Sequence, residues 1–223
     1  MRNVPPARAT PAIMHRRNLL AALPALAFLA ACGRSRKLPA IGPGEPVLAF
    51  GDSVTYGTGA GAGEDWPRLL AASTGWRVTN AGVPGETASA AKGRLPGLLA
   101  EQRPALVIIE IGGNDFLRRS ARGDVKEDIR ALIQSVQQAS AQPVLIGVPE
   151  LSLLGLVGKP SDSPIYEELA REENVPLIKD VLSDVLGNAD LRADRIHPNA
   201  AGYRAMAEGI RAALKRTGLL GSG

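Results

Sequence analysis

The sequence predicts an α/β fold, a parallel sheet with helices on both faces, on the strength of three observations. Short apolar runs alternate with amphipathic stretches through the body of the chain, as repeated strand–helix–strand units do. Several of the runs are almost continuously hydrophobic, the mark of strands buried on both sides. The polar residues richest in chemistry fall just past those runs or just before a helix, where an open α/β sheet gathers its ligands.

In order, Pro46 to Phe50, Arg77 to Ala81, Ala105 to Ile111, Pro143 to Val148 and Val175 to Ile178 read as strands. Between the first two, Asp65 stands as an N-cap before Trp66-Pro67, with the proline inside the first turn. Val125, Ile129, Leu132, Ile133 and Val136 recur at steps of 4, 3, 1 and 3, which lays one apolar stripe along a helix. The stretch from Ala200 to Arg216 is patterned as a closing helix. With 223 residues, no low-complexity linker and no internal repeat, the chain reads as one domain over 46–217. Residues 33–45 form a tether before it and 218–223 a tail after it.

Residues 1–32 are an export leader. Arg16 and Arg17 precede an apolar stretch from Leu19 to Ala31, whose 13 residues fall short of the ~20 that a membrane-spanning helix needs. The stretch ends in Leu29-Ala30-Ala31-Cys32-Gly33, and Leu-Ala-Ala-Cys resembles the lipobox of bacterial lipoproteins, in which the cysteine becomes the acylated first residue of the mature chain. Cys32 is the only cysteine, so it cannot form an internal disulfide. That resemblance implies a lipid anchor on Cys32 in the bacterial cell envelope, facing the periplasm. Gly33 rather than Asp follows the cysteine, so the rule for retention at the inner membrane is not met and the outer membrane is expected. Arg16-Arg17-Asn18-Leu19-Leu20 also looks like a twin-arginine signal.

The formal charge of +4 belongs to this leader. Arg2, Arg8, Arg16 and Arg17 lie in it with no acid, and the remaining basic residues balance the 22 acidic ones. No basic stripe interleaved with aromatics is left in the body, which argues against nucleic acid as a partner. No protein partner can be inferred.

Ser53 comes three residues after the first strand, in a turn opened by Gly51 and followed by a helix. A serine there can point its hydroxyl at solvent while helix-start N–H groups face the same spot, which suits a nucleophile. Asp52 and Ser53 could equally cap that helix. His197 bears on the choice, since the only other histidine, His15, lies in the leader. One histidine leaves little scope for a zinc site, but an imidazole, with an ordinary pKa of about 6.5, can take a serine proton near neutrality. Asp194, three residues earlier, is within reach of its other ring nitrogen. Gly112-Gly113-Asn114-Asp115 follows the most apolar strand and brings the Asn114 amide to the same sheet edge, where it can act as an oxyanion donor.

Taken together and in this order, Gly51-Asp52-Ser53, Gly85, Gly112-Gly113-Asn114-Asp115 and Asp194-Arg195-Ile196-His197-Pro198-Asn199 resemble the four blocks of the SGNH, or GDSL-type, hydrolases. The likeness runs from Val47 through the closing helix and is greatest to the acyl-thioesterase I/lysophospholipase L1 and arylesterase branch. Val54 stands where the family name has Leu. The resemblance implies a three-layer α/β/α fold with a five-stranded parallel sheet, flavodoxin-like, in the order 2-1-3-4-5. It implies Ser53 as nucleophile, His197 as base and Asp194 as its orienter. The oxyanion hole would comprise the N–H groups of Ser53 and Gly85 with the Asn114 amide, Gly82 being a turn glycine. It implies no metal or organic cofactor.

The expected substrate is a small acyl ester or thioester. Leu151, Leu153, Leu154, Leu156 and Val157 crowd into a loop between Pro149 and Pro164, which we expect to border an acyl groove suited to short-to-medium chains. A carbohydrate O-acetylesterase of the same superfamily and a non-catalytic envelope lipoprotein are the alternatives. Gly57-Thr58-Gly59-Ala60-Gly61-Ala62-Gly63 lacks the Lys-Ser/Thr ending of a phosphate loop and reads as a flexible rim of the cleft.

Overall fold

The computed structural model describes Met1 and residues 39–150 and 160–221. Cys32 with its leader, and the apolar stretch from Leu151 to Val157, lie outside the described residues. The unit spanning Lys37–Gly223 carries the sheet and its helices.

Five parallel strands form one sheet: β1 (Pro46–Gly51), β2 (Arg77–Gly82), β3 (Leu106–Glu110), β4 (Gln142–Ile146) and β5 (Leu177–Ile178), in the order β2-β1-β3-β4-β5. Every residue of β3 is buried, as is all of β1 after Pro46, which is why these runs carry no alternation. The helices in chain order are α1 (Ser53–Tyr56), α2 (Trp66–Thr74), α3 (Ala88–Ala91), α4 (Leu95–Gln102), α5 (Gly113–Leu117), α6 (Arg122–Gln138), α7 (Pro164–Glu172), α8 (Val181–Gly187) and α9 (Ala200–Thr217).

Handedness sorts the helices into layers. The chain steps from β1 to β2 in one direction along the sheet and from β2 past β1 to β3 in the other, and right-handed crossovers then place the intervening helices on opposite faces. Accordingly α2 packs with α9, and α9 with α8, while α6 packs with α3, α4 and α7. The switch between the two directions falls between β1 and β3, and the crevice there opens beyond their carboxyl ends. Register keeps those ends level, with Gly51 beside both Gly82 and Glu110.

The apolar stripe of α6 is wholly buried, through Val125, Ile129, Leu132, Ile133 and Val136. Asp65 caps α2, accepting from the Arg68 N–H at 3.0 Å. The last strand is shorter than the run Val175 to Ile178 suggests. Pro176 has no N–H to give the ladder, so its carbonyl alone pairs, accepting from Leu145 N–H at 2.9 Å. Gly82 is the final residue of β2 rather than a turn residue.

The segments before and after the domain are tied to each other. Ile41 bridges Leu220 in parallel, its N–H bonds the Leu219 carbonyl at 2.7 Å, and Leu219 is fully buried. The glycine-rich stretch 57–63 is held rather than loose. Tyr203 Oη donates to the Thr58 carbonyl at 2.8 Å, and a Cβ on Gly59 (φ +99°) would lie 2.4 Å from the Pro198 carbonyl oxygen and 3.4 Å from His197 Cβ. Glycine at 59 therefore lets this loop lie flat on the histidine segment.

Candidate active site

Ser53 opens α1 directly after β1. Its helix is capped by Asp52, whose Oδ1 accepts from Val54 N–H at 3.0 Å, so the capping role and the half-buried serine coexist in one turn. His197 lies before α9, which Asn199 caps by accepting from the Gly202 N–H at 3.0 Å. The segment ahead of it is closed by a bridge between Arg192 and Pro198 and by the Ala193 N–H to His197 carbonyl bond at 2.9 Å.

These elements bring Ser53, His197 and Asp194 into series. His197 Nε2 lies 3.0 Å from Ser53 Oγ, and His197 Nδ1 lies 2.7 Å from Asp194 Oδ2. With Nδ1–H donating to the carboxylate, Nε2 is left to accept from the serine hydroxyl. The other carboxylate oxygen, Asp194 Oδ1, accepts the backbone N–H groups of Ile196 and His197, each at 2.8 Å. Partial burial pushes the Asp194 carboxyl up, but the His197 ring and those two N–H groups outweigh it and hold the carboxyl below its ordinary range.

Gly85 follows β2 with φ +79°, a left-handed conformation in which glycine carries no strain. Its carbonyl accepts from Arg118 Nη2 at 2.9 Å. Among the described residues neither the Ser53 N–H nor the Gly85 N–H has a hydrogen-bond partner. Asn114, in α5, is at the same edge, yet its amide is already engaged. Nδ2 donates to Asp52 Oδ2 at 3.1 Å and to the Glu86 carbonyl at 3.0 Å. The crevice beside Ser53 and His197 has apolar walls from Val54, Leu117, Val148, Leu182 and Ile196.

Several polar residues here carry no obvious signal in the sequence. Glu110 ends β3 fully buried, its Oε2 accepting from Thr55 Oγ1 at 2.8 Å and its Oε1 unpartnered among the described residues. Burial, together with the nearby Asp52 carboxylate, pushes the Glu110 carboxyl well above the carboxylate range. An acid inside Ile-Glu-Ile is the one hint the sequence offers, because a buried acid is rare. Asp115 points away from the crevice, accepting from the Ala88 N–H at 2.9 Å to join α5 to α3. Among the described residues no cluster of three His, Cys, Asp or Glu is placed to hold a metal ion, and no helix is long and apolar enough to cross a membrane.

Fold and crevice together define a class, a hydrolase built on an open parallel sheet. The chain belongs to the GDSL-like lipase/acylhydrolase family, whose profile matches residues 49–205, and it is a carboxylic ester hydrolase. It is 33% identical over 177 residues to esterase TesA of Pseudomonas aeruginosa, covering 77% of this chain and 88% of that one. It is 34% identical over 160 residues to thioesterase 1/protease 1/lysophospholipase L1 of Escherichia coli K12, covering 70% and 76%. Among solved structures, that of TesA superposes with a TM-score of 0.67 at 30% identity, covering 78% of this chain and 99% of that one.

Proposed function

We propose that the protein hydrolyses short-to-medium acyl esters, oxyesters or thioesters, through an acyl-enzyme on Ser53. The observation that carries this reading is the pair of hydrogen bonds in series, 3.0 Å from Ser53 Oγ to His197 Nε2 and 2.7 Å from His197 Nδ1 to Asp194 Oδ2. His197 takes the hydroxyl proton as Ser53 Oγ bonds to the substrate carbonyl carbon. The same imidazolium, steadied by Asp194, then gives that proton to the departing alkoxide or thiolate. Water repeats the sequence on the acyl-enzyme, with His197 again as base, and releases the carboxylic acid.

The oxyanion formed in each half is held by the Ser53 and Gly85 N–H groups and by the Asn114 amide. For Asn114 this means a change of partner. A full negative charge on the substrate oxygen outcompetes the neutral Glu86 carbonyl, since charge-assisted bonds are about twice as strong as neutral ones. The apolar walls of the crevice suit an acyl chain. In this reading Cys32 carries the lipid that anchors the enzyme in the cell envelope, a role supported by the Leu-Ala-Ala-Cys signal. Replacing Cys32 by Ser would then release the protein from the membrane fraction.

Initial rates on p-nitrophenyl esters from acetate to palmitate, with Ser53→Ala as the blank, test the proposal. A maximum at intermediate chain length supports it. Activity on acetate alone redirects the reading to a carbohydrate deacetylase, and retained turnover in folded Ser53→Ala removes Ser53 as nucleophile.

A further inference from the structure

Beside the crevice, one cation reaches both segments that border it. Arg94 is the residue just before α4, and its Nε donates to the two oxygens of the Glu86 carboxylate at 2.8 and 2.9 Å. Its Nη2 donates to the Gly51 carbonyl at 3.1 Å, and the guanidinium lies 4.1 Å over the Phe50 ring. Phe50 and Gly51 are the last residues of β1, immediately before Asp52 and Ser53. Glu86 immediately follows Gly85, and its own carbonyl takes the Asn114 amide. The Arg94 side chain is only 25% exposed and that of Glu86 9%, so solvent screens the pair weakly.

We propose that Arg94 is a positioning residue for ester hydrolysis, a clamp that sets the distance between the nucleophile turn after β1 and the oxyanion turn at Gly85–Glu86. This rests on Ser53 as nucleophile and Gly85 as oxyanion donor. The physical need is plain. β1 and β2 end level in the sheet, and the last backbone bond between them, Val83 N–H to the Gly51 carbonyl at 3.0 Å, stops two residues short of Gly85, whose carbonyl is otherwise held, among the described residues, only by Arg118. A planar fork that bonds a carboxylate on one turn, bonds a carbonyl on the other strand and stacks on an aromatic face holds all three in one geometry. Lysine, with a compact charge, cannot bond both turns while stacked. Displacement of an oxyanion donor by a fraction of an ångström weakens transition-state binding and leaves ground-state binding largely untouched.

The test is steady-state kinetics of the full chain on p-nitrophenyl butyrate for Arg94→Met, Arg94→Lys and Glu86→Gln, each checked for folding by urea denaturation. In Arg94→Met, kcat is expected to fall about 10- to 100-fold, with KM within about twofold of the wild type. Arg94→Lys should recover only part of the loss. The double variant Glu86→Gln/Arg94→Met should be no slower than the worse single variant, because both remove one link. A folded Arg94→Met enzyme whose kcat stays within about twofold of the wild type, or one that changes KM alone, overturns the clamp. If Arg94→Met does not fold, Arg94→Lys and Glu86→Gln decide by the same criterion. Ser53→Ala measured alongside separates the two readings. An active Ser53→Ala enzyme overturns the nucleophile assignment and the clamp with it, whereas inactive Ser53→Ala beside undiminished Arg94→Met overturns the clamp alone.

Discussion

Asn114 gives an amide proton to the carboxylate of Asp52, Nδ2 to Oδ2 at 3.1 Å, and that carboxylate is only 2% exposed. Asp52 thus caps the helix that begins with Ser53 and orients the amide expected at the oxyanion. Its ionised form is expensive in that position. Burial pushes its carboxyl up to about 6, against the opposing pull of the Val54 N–H, His197 and Asn114.

The cost has a sign that can be measured. A carboxyl raised from 3.8 to about 6 binds more protons folded than unfolded, so its contribution to stability is greatest in acid and is lost as pH rises through that window. Relative to Asp52→Asn, which cannot ionise, the wild type should lose up to about 3 kcal/mol between pH 4 and 7. Urea denaturation at a series of pH values reads this directly. A stability difference independent of pH would contradict the burial argument. The same variant should be a poor enzyme, because its amide cannot accept from Asn114 without giving up Val54.

Ser53→Ala and His197→Ala should each remain folded and lose about 10³- to 10⁶-fold in kcat. Asp194→Asn should lose about 10³- to 10⁴-fold, since the imidazolium loses its charged partner and the ring its tautomer. Because Asp194 is held below the ordinary carboxylate range, its ionised form persists into acid. Loss of rate in mild acid is therefore not expected from Asp194. A general base that must be unprotonated makes activity rise with pH, and a rate unchanged from acid to neutrality would exclude such a base.

Gly59→Ala should impair the enzyme without touching any polar group of the site. The new methyl would meet the Pro198 carbonyl at 2.4 Å in a backbone with φ +99°, so the histidine segment must move. A fall in kcat of about tenfold or more is expected. Gly61→Ala, which meets only the flexible end of Glu64 at 3.0 Å, serves as the control and should retain full activity.

Leu219→Ala probes the closure of the two segments that flank the domain. Leu219 is fully buried although it lies beyond α9, and its truncation should cost about 2–5 kcal/mol. Activity per folded molecule should be unchanged. Chemical denaturation with an activity assay in native buffer separates the two effects.

The strands were readable because buried parallel strands leave unbroken apolar runs, and α6 because its stripe keeps helical spacing. Strand order was not readable from spacing, since it depends on crossover direction, and it came only with the family resemblance. Nothing local links Ser53 to His197 across a separation of 144 positions. Each stood out because of its neighbours: a turn after a strand in one case, a carboxylate three residues away in the other. Arg94 and Glu86 were invisible because a charged pair eight apart looks like ordinary solvated surface until the fold lays it against Phe50 and Gly51. Glycines 57–63 read as slack for the converse reason. Their composition permits flexibility, and only packing against Pro198 and Tyr203 removes it.

The pairing of Ile41 with Leu220 has a practical side. Both ends of the described body meet near the start of β1, and the crevice opens past its other end, about 20 Å away for a strand of six residues. A bead, sensor chip or fused partner attached at either end of that body would grip the enzyme by its base and leave the mouth free for substrate.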